Sequence, residues 1–361
     1  VAHRRSKGEG SISQTTRGWL AQITLPDGKR RSKNFKDQKS AREWLLLVRK
    51  ELSDGAVVDK DIRLDKFLEL YIRDVATHNL REKTLQAYES LIRIHIKPEL
   101  GYYKLSQLSP PIIQKFYSKK LETLSKRTVQ FIHSILHKAL DQALRWNMVI
   151  RNVCDLVDAP SPKRSVMNVW SPEQARLFLK FVENDRFYPL YALAIGTGMR
   201  EGELLGIYWE DVDFIKSEIS VQRALQYLVG KGLVLTEPKT DKSRRSVSVA
   251  KFAMDALRNH FDASPNKLGL VFVTKNNTPF SPRNIVRHFK LKTKEAGLPE
   301  IRFHDLRHTA ATLMLSGGIH PKVVQEMLGH SQISLTLDTY SHVVPSLQKE
   351  AAEKINDLMH I

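Results

Sequence analysis

At 361 residues the chain is too long for one ordinary core, and two or three domains are expected. With 42% hydrophobic and 27% charged residues it is not a disordered chain, and it has no apolar run near the roughly 20 residues that cross a bilayer. Fifty-seven Lys and Arg against 39 Asp and Glu give a formal net charge of +18, which points to a polyanionic partner, nucleic acid first.

Residues 1–57 hold 13 Lys and Arg against 6 Asp and Glu. Trp19, Ala21, Ile23 and Leu25 alternate with more polar neighbours, which is strand periodicity. Asp27-Gly28 then marks a tight turn, and Lys29 to Phe35 returns as a basic strand that carries Lys29, Arg30, Arg31 and Lys33. Ser40 with Glu43 reads as a capping box, and behind it Ala41, Trp44, Leu45, Val48 and Leu52 share a helical face. The expectation is a small three-stranded sheet backed by one helix, with a basic strand that fits a DNA major groove. A merely solvated basic face is the alternative.

Residues 58–164 carry 19 Lys and Arg against 12 Asp and Glu, and their patterns are helical. Apolar positions recur at Leu64, Phe67, Leu68, Tyr71 and Ile72, at Leu85, Tyr88, Leu91 and Ile92, and at Val129, Ile132, Leu136 and Leu140. Pro98, Gly101 and Pro110-Pro111 punctuate them, so four or five helices are expected. Pro160 to Arg164 reads as a linker. Cys154 is the single cysteine; it cannot form an internal disulfide, and with no apolar signal segment at the N-terminus this predicts a reducing, cytoplasmic setting.

Residues 165–361 are nearer balance, 25 Lys and Arg against 21 Asp and Glu. Ser171-Pro172-Glu173-Gln174 opens a helix with a cap, a proline at the first position and Gln at the third. Helices dominate, interrupted by strand-like runs at Glu218 to Val221 and Ser246 to Val249. After residue 340, Leu347, Ala351, Ile355 and Leu358 repeat at helical spacing.

Five motifs in this segment carry chemistry. They are Thr197-Gly198-Met199-Arg200-Glu201-Gly202-Glu203-Leu204, Pro238-Lys239-Thr240-Asp241 leading to Arg244-Arg245, His304-Asp305-Leu306-Arg307-His308-Thr309, Leu328-Gly329-His330-Ser331 and Thr339-Tyr340-Ser341-His342. Two guanidiniums, Arg200 and Arg307, suit a phosphodiester because their planar forks bind non-bridging oxygens as lysine cannot. A tyrosine ester conserves the phosphodiester energy, so rejoining needs no ATP. His304 and Arg307 lie three apart and share a helical face. His304 and His308 are four apart, but no metal-ligating partner motif accompanies them.

In order and spacing these motifs resemble the catalytic boxes of the tyrosine recombinase (phage integrase) family. The resemblance implies a multidomain, mainly α protein with small β elements: an arm-type DNA-binding domain at 1–57, a helical core-binding (SAM-like) domain at 58–164 and a catalytic domain at 165–361. It implies Tyr340 as nucleophile, Arg200 and Arg307 as the phosphate clamp, Lys239 as general acid, His304 as a hydrogen-bonding or proton-transfer partner and His330 as a donor to a non-bridging oxygen, with no metal or cofactor. Lys242, Arg244 and Arg245 compete with Lys239 for its role, whereas Tyr208 and Tyr227 do not follow the His330 motif. Glu203 and Asp305 are expected to orient the arginines, and His308 and His342 to pack behind them. Ala250 stands where many relatives have proline.

The function so implied is site-specific recombination of double-stranded DNA at core-type and arm-type sites. It proceeds through a 3′-phosphotyrosyl intermediate and a Holliday junction in a homotetramer, and integrates and excises a mobile element. A directionality factor, a DNA-bending protein and docking of the C-terminal helix on a neighbouring protomer belong to the same picture, as does a cytoplasmic, nucleoid-associated location. A type IB-like topoisomerase shares the chemistry and is the alternative enzyme. A non-catalytic DNA-binding regulator is the alternative of another class, but it gives no reason for Arg200, Lys239, Arg307 and Tyr340 to occur together.

Overall fold

The computed structural model describes residues 10–16, 18–25, 30–53, 62–162, 168–237, 244–265 and 267–329, with single positions at 333, 353, 355–357 and 359. The chain forms two compact units, 1–164 and 165–361. The Asp27-Gly28 turn, most of the C-terminal repeat, and Lys239, His330 and Tyr340 lie outside the described residues.

In the first unit, β1 (Ser11–Thr15), β2 (Gly18–Thr24) and β3 (Arg30–Phe35) form an antiparallel sheet in the order β1-β2-β3, as expected. Ala21 and Ile23 of β2 are buried, and Ile23 packs with Leu45 and Val48 of α1 (Gln38–Ser53). Strand alternation therefore turns Leu20, Gln22 and Thr24 to the opposite face. The register places Ser13 and Asn34 beside Leu20, Ser11 and Ser32 beside Gln22, and Arg30 beside Thr24. That face is polar apart from Leu20.

The cap of α1 differs from expectation. Ser40 already lies in the helix, and Asp37 is the residue that accepts hydrogen bonds from the Ser40 amide and hydroxyl, both at 2.8 Å. A carboxylate before the helix meets the unpaired amides first, and these bonds lower the Asp37 pKa.

The helical part of the unit has its own core. A first helix runs as α2 (Leu64–Tyr71), a π-helical turn (Ile72–Ala76) and α3 (Thr77–Asn79). A second runs as α4 (Glu82–Leu91), another π-helical turn (Ile92–Ile96) and α5 (Lys97–Leu100). Then come α6 (Pro110–Leu121) and α7 (Lys126–Arg145), the latter capped by the Ser125 hydroxyl and burying Val129, Ile132, Ile135, Leu136, Ala139, Leu140 and Ala143. The periodic apolar positions named from sequence lie in these helices. Cys154 is buried, which pushes its thiol up to about 12 and leaves it protonated at neutral pH.

The second unit is built on α8 (Pro172–Phe181), α9 (Tyr188–Thr197), the short α10 (Glu201–Leu205), α11 (Lys251–Ala263), α12 (Pro282–Glu295), α13 (Asp305–Ser316) and α14 (Pro321–Leu328). The Ser171–Gln174 cap forms as expected, with each side chain accepting from the other's amide. Helix α9 is apolar almost all round and is accordingly buried in the middle of the core. A small antiparallel sheet joins β4 (Val212–Asp213), β5 (Glu218–Val221) and β8 (Arg245–Ser248), and β6 (Ala224–Leu228) pairs with β7 (Gly232–Thr236) as a hairpin. Trp170 fastens this core: its amide donates to the Thr309 hydroxyl and its indole to the Pro299 carbonyl, at 3.1 and 3.0 Å.

Candidate active site

The site begins where α9 stops. Gly198 takes a left-handed conformation (φ 65°), and a Cβ there would sit 2.5 Å from a Leu328 methyl, so only glycine makes this turn without displacement. Arg200 follows in extended backbone as the residue before α10. Its amide donates to Glu203 Oε2 at 2.9 Å, its Nη1 to Glu203 Oε1 at 2.7 Å, and its Nη2 to the Gly329 carbonyl at 3.3 Å. The Arg200 side chain remains 40% exposed.

Arg307, on the first turn of α13, is only 3% exposed and donates from Nη1 to the Gly198 carbonyl at 2.8 Å. One turn of backbone thus carries one candidate arginine and anchors the other. His304 stands just before α13, open to solvent on one side. Its pKa is lowered, first by partial desolvation and then by the charge of Arg307, with Asp305 opposing and Arg302 and Arg200 adding. The His308 ring meets it edge-on at 5.3 Å, and its pKa falls to about 4, chiefly through desolvation and then the His304 charge. Both imidazoles are therefore neutral at pH 7 in the absence of a bound anion.

Of the expected site residues, Arg200 and Arg307 meet at the Gly198 turn, and His304 lies within the influence of both their charges. Glu203 also behaves as expected. It is 5% exposed, and although burial pushes its carboxyl up, the hydrogen bond and charge of Arg245, and then Arg200, hold it below the ordinary range. Asp305 departs from expectation: its carboxylate receives the guanidinium and amide of Arg302, at 2.7 and 2.8 Å. It therefore fixes the approach to α13, three residues back along the chain.

Sequence reasoning treats Arg245 only as a rival to Lys239. In the structure its side chain is 8% exposed and forked onto Glu203, Nη2 to Oε2 at 3.0 Å and Nη1 to Oε1 at 3.4 Å. Its Nε donates to the Met327 carbonyl at 2.8 Å. Gly329 (φ 67°) lies against the guanidinium, where a Cβ would approach Nη1 to 2.9 Å. A signal was available: Arg245 and Val247 point inward from β8, Val249 just beyond the strand continues the alternation, and an arginine in an apolar inward row needs a buried anion. Among the described residues no group of three or more His, Cys, Asp or Glu side chains is disposed to hold a metal ion.

Comparison with known proteins agrees along nearly the whole chain. The model of the phage integrase family matches residues 169–346, and that of the phage integrase N-terminal SAM-like domain matches 64–121. A XerC-like tyrosine recombinase of Caldanaerobacter subterraneus subsp. tengcongensis is 30% identical, over 85% of this chain and 86% of its own. The ICEBs1 integrase of Bacillus subtilis is also 30% identical, over 89% and 90%. Among solved structures, the Tn1549 transposon integrase in complex with a circular intermediate DNA superposes with a TM-score of 0.71 at 22% identity, covering 80% of this chain and 99% of that one. A lambda integrase tetramer bound to a Holliday junction gives 0.60 at 18% identity, covering 90% and 96%.

Proposed function

The chain belongs to the phage integrase family of tyrosine recombinases, enzymes that cleave and rejoin DNA, and from that premise we propose the roles of its residues and domains. Arg200 and Arg307 clamp the scissile phosphate. Tyr340 attacks it to form a 3′-phosphotyrosyl link, Lys239 protonates the leaving 5′-hydroxyl, His304 bonds the phosphate or assists proton transfer, and His330 donates to a non-bridging oxygen. The observation that carries this reading is the meeting of two arginines at one turn, Arg307 bonded to the Gly198 carbonyl and Arg200 two residues further on, with His304 at the start of the same turn of α13 as Arg307. Positive charge fixed before reaction, where negative charge accumulates, is the largest catalytic term available to such a site. A neutral His304 is able to accept or donate a proton near pH 7.

Residues 58–164 and 165–361 hold the core-type site, and 1–57 holds a separate arm-type site. The polar face of the N-terminal sheet suits base reading: Gln22 and Asn34 carry the amides that pair with adenine, Arg30 the fork that pairs with guanine. Arg31 and Lys33 alternate to the other side of β3 and suit phosphates. Four protomers exchange strands through a Holliday junction, a reading supported by the lambda integrase tetramer on such a junction. Integration and excision of a mobile element, with a directionality factor and a DNA-bending protein, complete the proposal. Among the described residues no helix is long and apolar enough to cross a membrane.

Covalent trapping tests the reading. The protein is incubated with nicked duplexes from the ends of its own element and run on a denaturing gel beside Tyr340→Phe. The expected result is a retarded band with Tyr340 alone, while both proteins bind the duplex equally. Binding without any adduct would favour a DNA-binding regulator instead.

A further inference from the structure

We infer that Arg245 is a positioning residue for strand cleavage, setting Arg200 and the segment that enters His330 through one guanidinium; this rests on the reading of Arg200 given above. Three of the five motif-bearing segments meet at its side chain. Arg245 itself opens β8, immediately beyond the segment that carries Lys239. Its fork takes both oxygens of Glu203, the carboxylate that also holds the Arg200 amide and guanidinium. Its Nε takes the Met327 carbonyl at the end of α14, and its flat face backs Gly329, whose carbonyl Arg200 bonds.

The geometry separates positioning from plain packing. Glu203 has two oxygens and serves two arginines. Arg245, 8% exposed, is the buried partner, while Arg200, 40% exposed, is the one open to a ligand. With Arg245 in place the carboxylate is pinned from behind, and the rotamer of Arg200 follows from it. Without Arg245 the carboxylate is free to rotate onto Arg200 alone, drawing that guanidinium away from the phosphate. The carbonyls of Met327 and Gly329 would then lose one of the two arginines that tie the end of α14 to α10. Lysine cannot substitute fully, because a single ammonium cannot occupy both Glu203 oxygens and the Met327 carbonyl in one plane.

A kinetic cycle tests this. Single-turnover adduct formation on a nicked duplex is measured for the unaltered protein, Arg245→Met, Arg245→Lys, Arg200→Lys and the double variant Arg200→Lys/Arg245→Met, with duplex affinity measured alongside. Removing Arg245 is expected to slow cleavage about 100-fold, with affinity within about threefold, because a misplaced clamp loses what an oriented donor supplies. Arg245→Lys is expected to fall between. The double variant should be no slower than Arg200→Lys, since a residue acting through Arg200 has nothing left to position. Defects that multiply in the double variant, a rate within about threefold of normal for Arg245→Met, or a loss explained by weaker binding would each overturn the inference. If Arg245→Met does not give a normal thermal transition, Arg245→Lys supplies both comparisons in its place. No adduct from the unaltered protein would instead count against the reading of the site as a whole.

Discussion

His308 carries a measurable consequence at the residue scale. Its pKa near 4 in the folded chain lies below the ordinary 6.5, so between those values the unfolded chain binds more protons. Its contribution to stability is complete above pH 6.5 and is lost as pH falls toward 4, by at most about 1.4 kcal/mol per pH unit. Urea melts at pH 7 and 5 should show a smaller pH effect in His308→Gln than in the unaltered chain, and equal effects would remove His308 from the account. The residues of the site were legible to different depths. Arg200, His304 and Arg307 were readable because their chemistry and spacing stand in short, contiguous motifs. The partner of Asp305 was not, since the aspartate is flanked by two arginines and only geometry chooses Arg302 over Arg307. Arg245 was visible as a basic residue but not as a buried one, because its anion lies 42 residues away in sequence.

At the scale of elements, the turn between α9 and α10 is the joint on which the site hangs. Gly198→Ala would place a methyl against Leu328 in a left-handed conformation. A loss of about 1–3 kcal/mol is expected from the strain alone. The displaced Gly198 carbonyl would also release Arg307. Thermal melting and cleavage rate should therefore fall together, and a destabilised but normally fast enzyme would show that the Arg307 anchor is dispensable. The elements were largely legible because apolar periodicity is a direct record of burial. Strand β2, helices α2, α4 and α7, and the cap of α8 formed where their patterns stood. Helix α1 began earlier than its Ser40–Glu43 signature suggested, because Asp37 offers a charged acceptor ahead of it.

For the whole molecule, charge is shared unevenly along the chain: the N-terminal 57 residues carry a net +7 and the 197 residues from 165 onward a net +4. Neutralising a phosphate releases counterions, so affinity should fall with salt in proportion to the number of phosphates engaged. Replacing Arg31 and Lys33 together with alanine should weaken binding to arm-type duplex without changing its sequence preference. The log–log salt slope should become shallower by about 1 for each phosphate no longer neutralised. Arg30→Ala should instead relax preference at one base pair, by about 1–3 kcal/mol. A uniform loss across sequences for Arg30→Ala would place it among the phosphate-binding residues.

The two π-helical turns explain a regularity in the first unit that an α-helix would not sustain. Leu64, Leu68, Ile72, Ala76 and Leu80 recur every four residues, as do Tyr88, Ile92, Ile96 and Leu100, and all face the same core. Four residues of α-helix overshoot a full rotation by about 40°, so three such steps would carry Leu100 about 120° round the axis and four would carry Leu80 about 160°. The wider turns at Ile72–Ala76 and Ile92–Ile96, closed by bonds from the amides of Thr77 and Lys97 back to Ile72 and Ile92, absorb that drift and return Leu80 and Leu100 to the core. Each behaves as a one-residue insertion accommodated inside a helix. Deleting a single residue such as Arg93 would restore ordinary winding and leave Tyr88, Ile92, Ile96 and Leu100 at spacings of four, three and four, still on one face, so a one-residue deletion there should be tolerated better, by thermal melting, than a one-residue deletion in the middle of α7, which has no wider turn to absorb it.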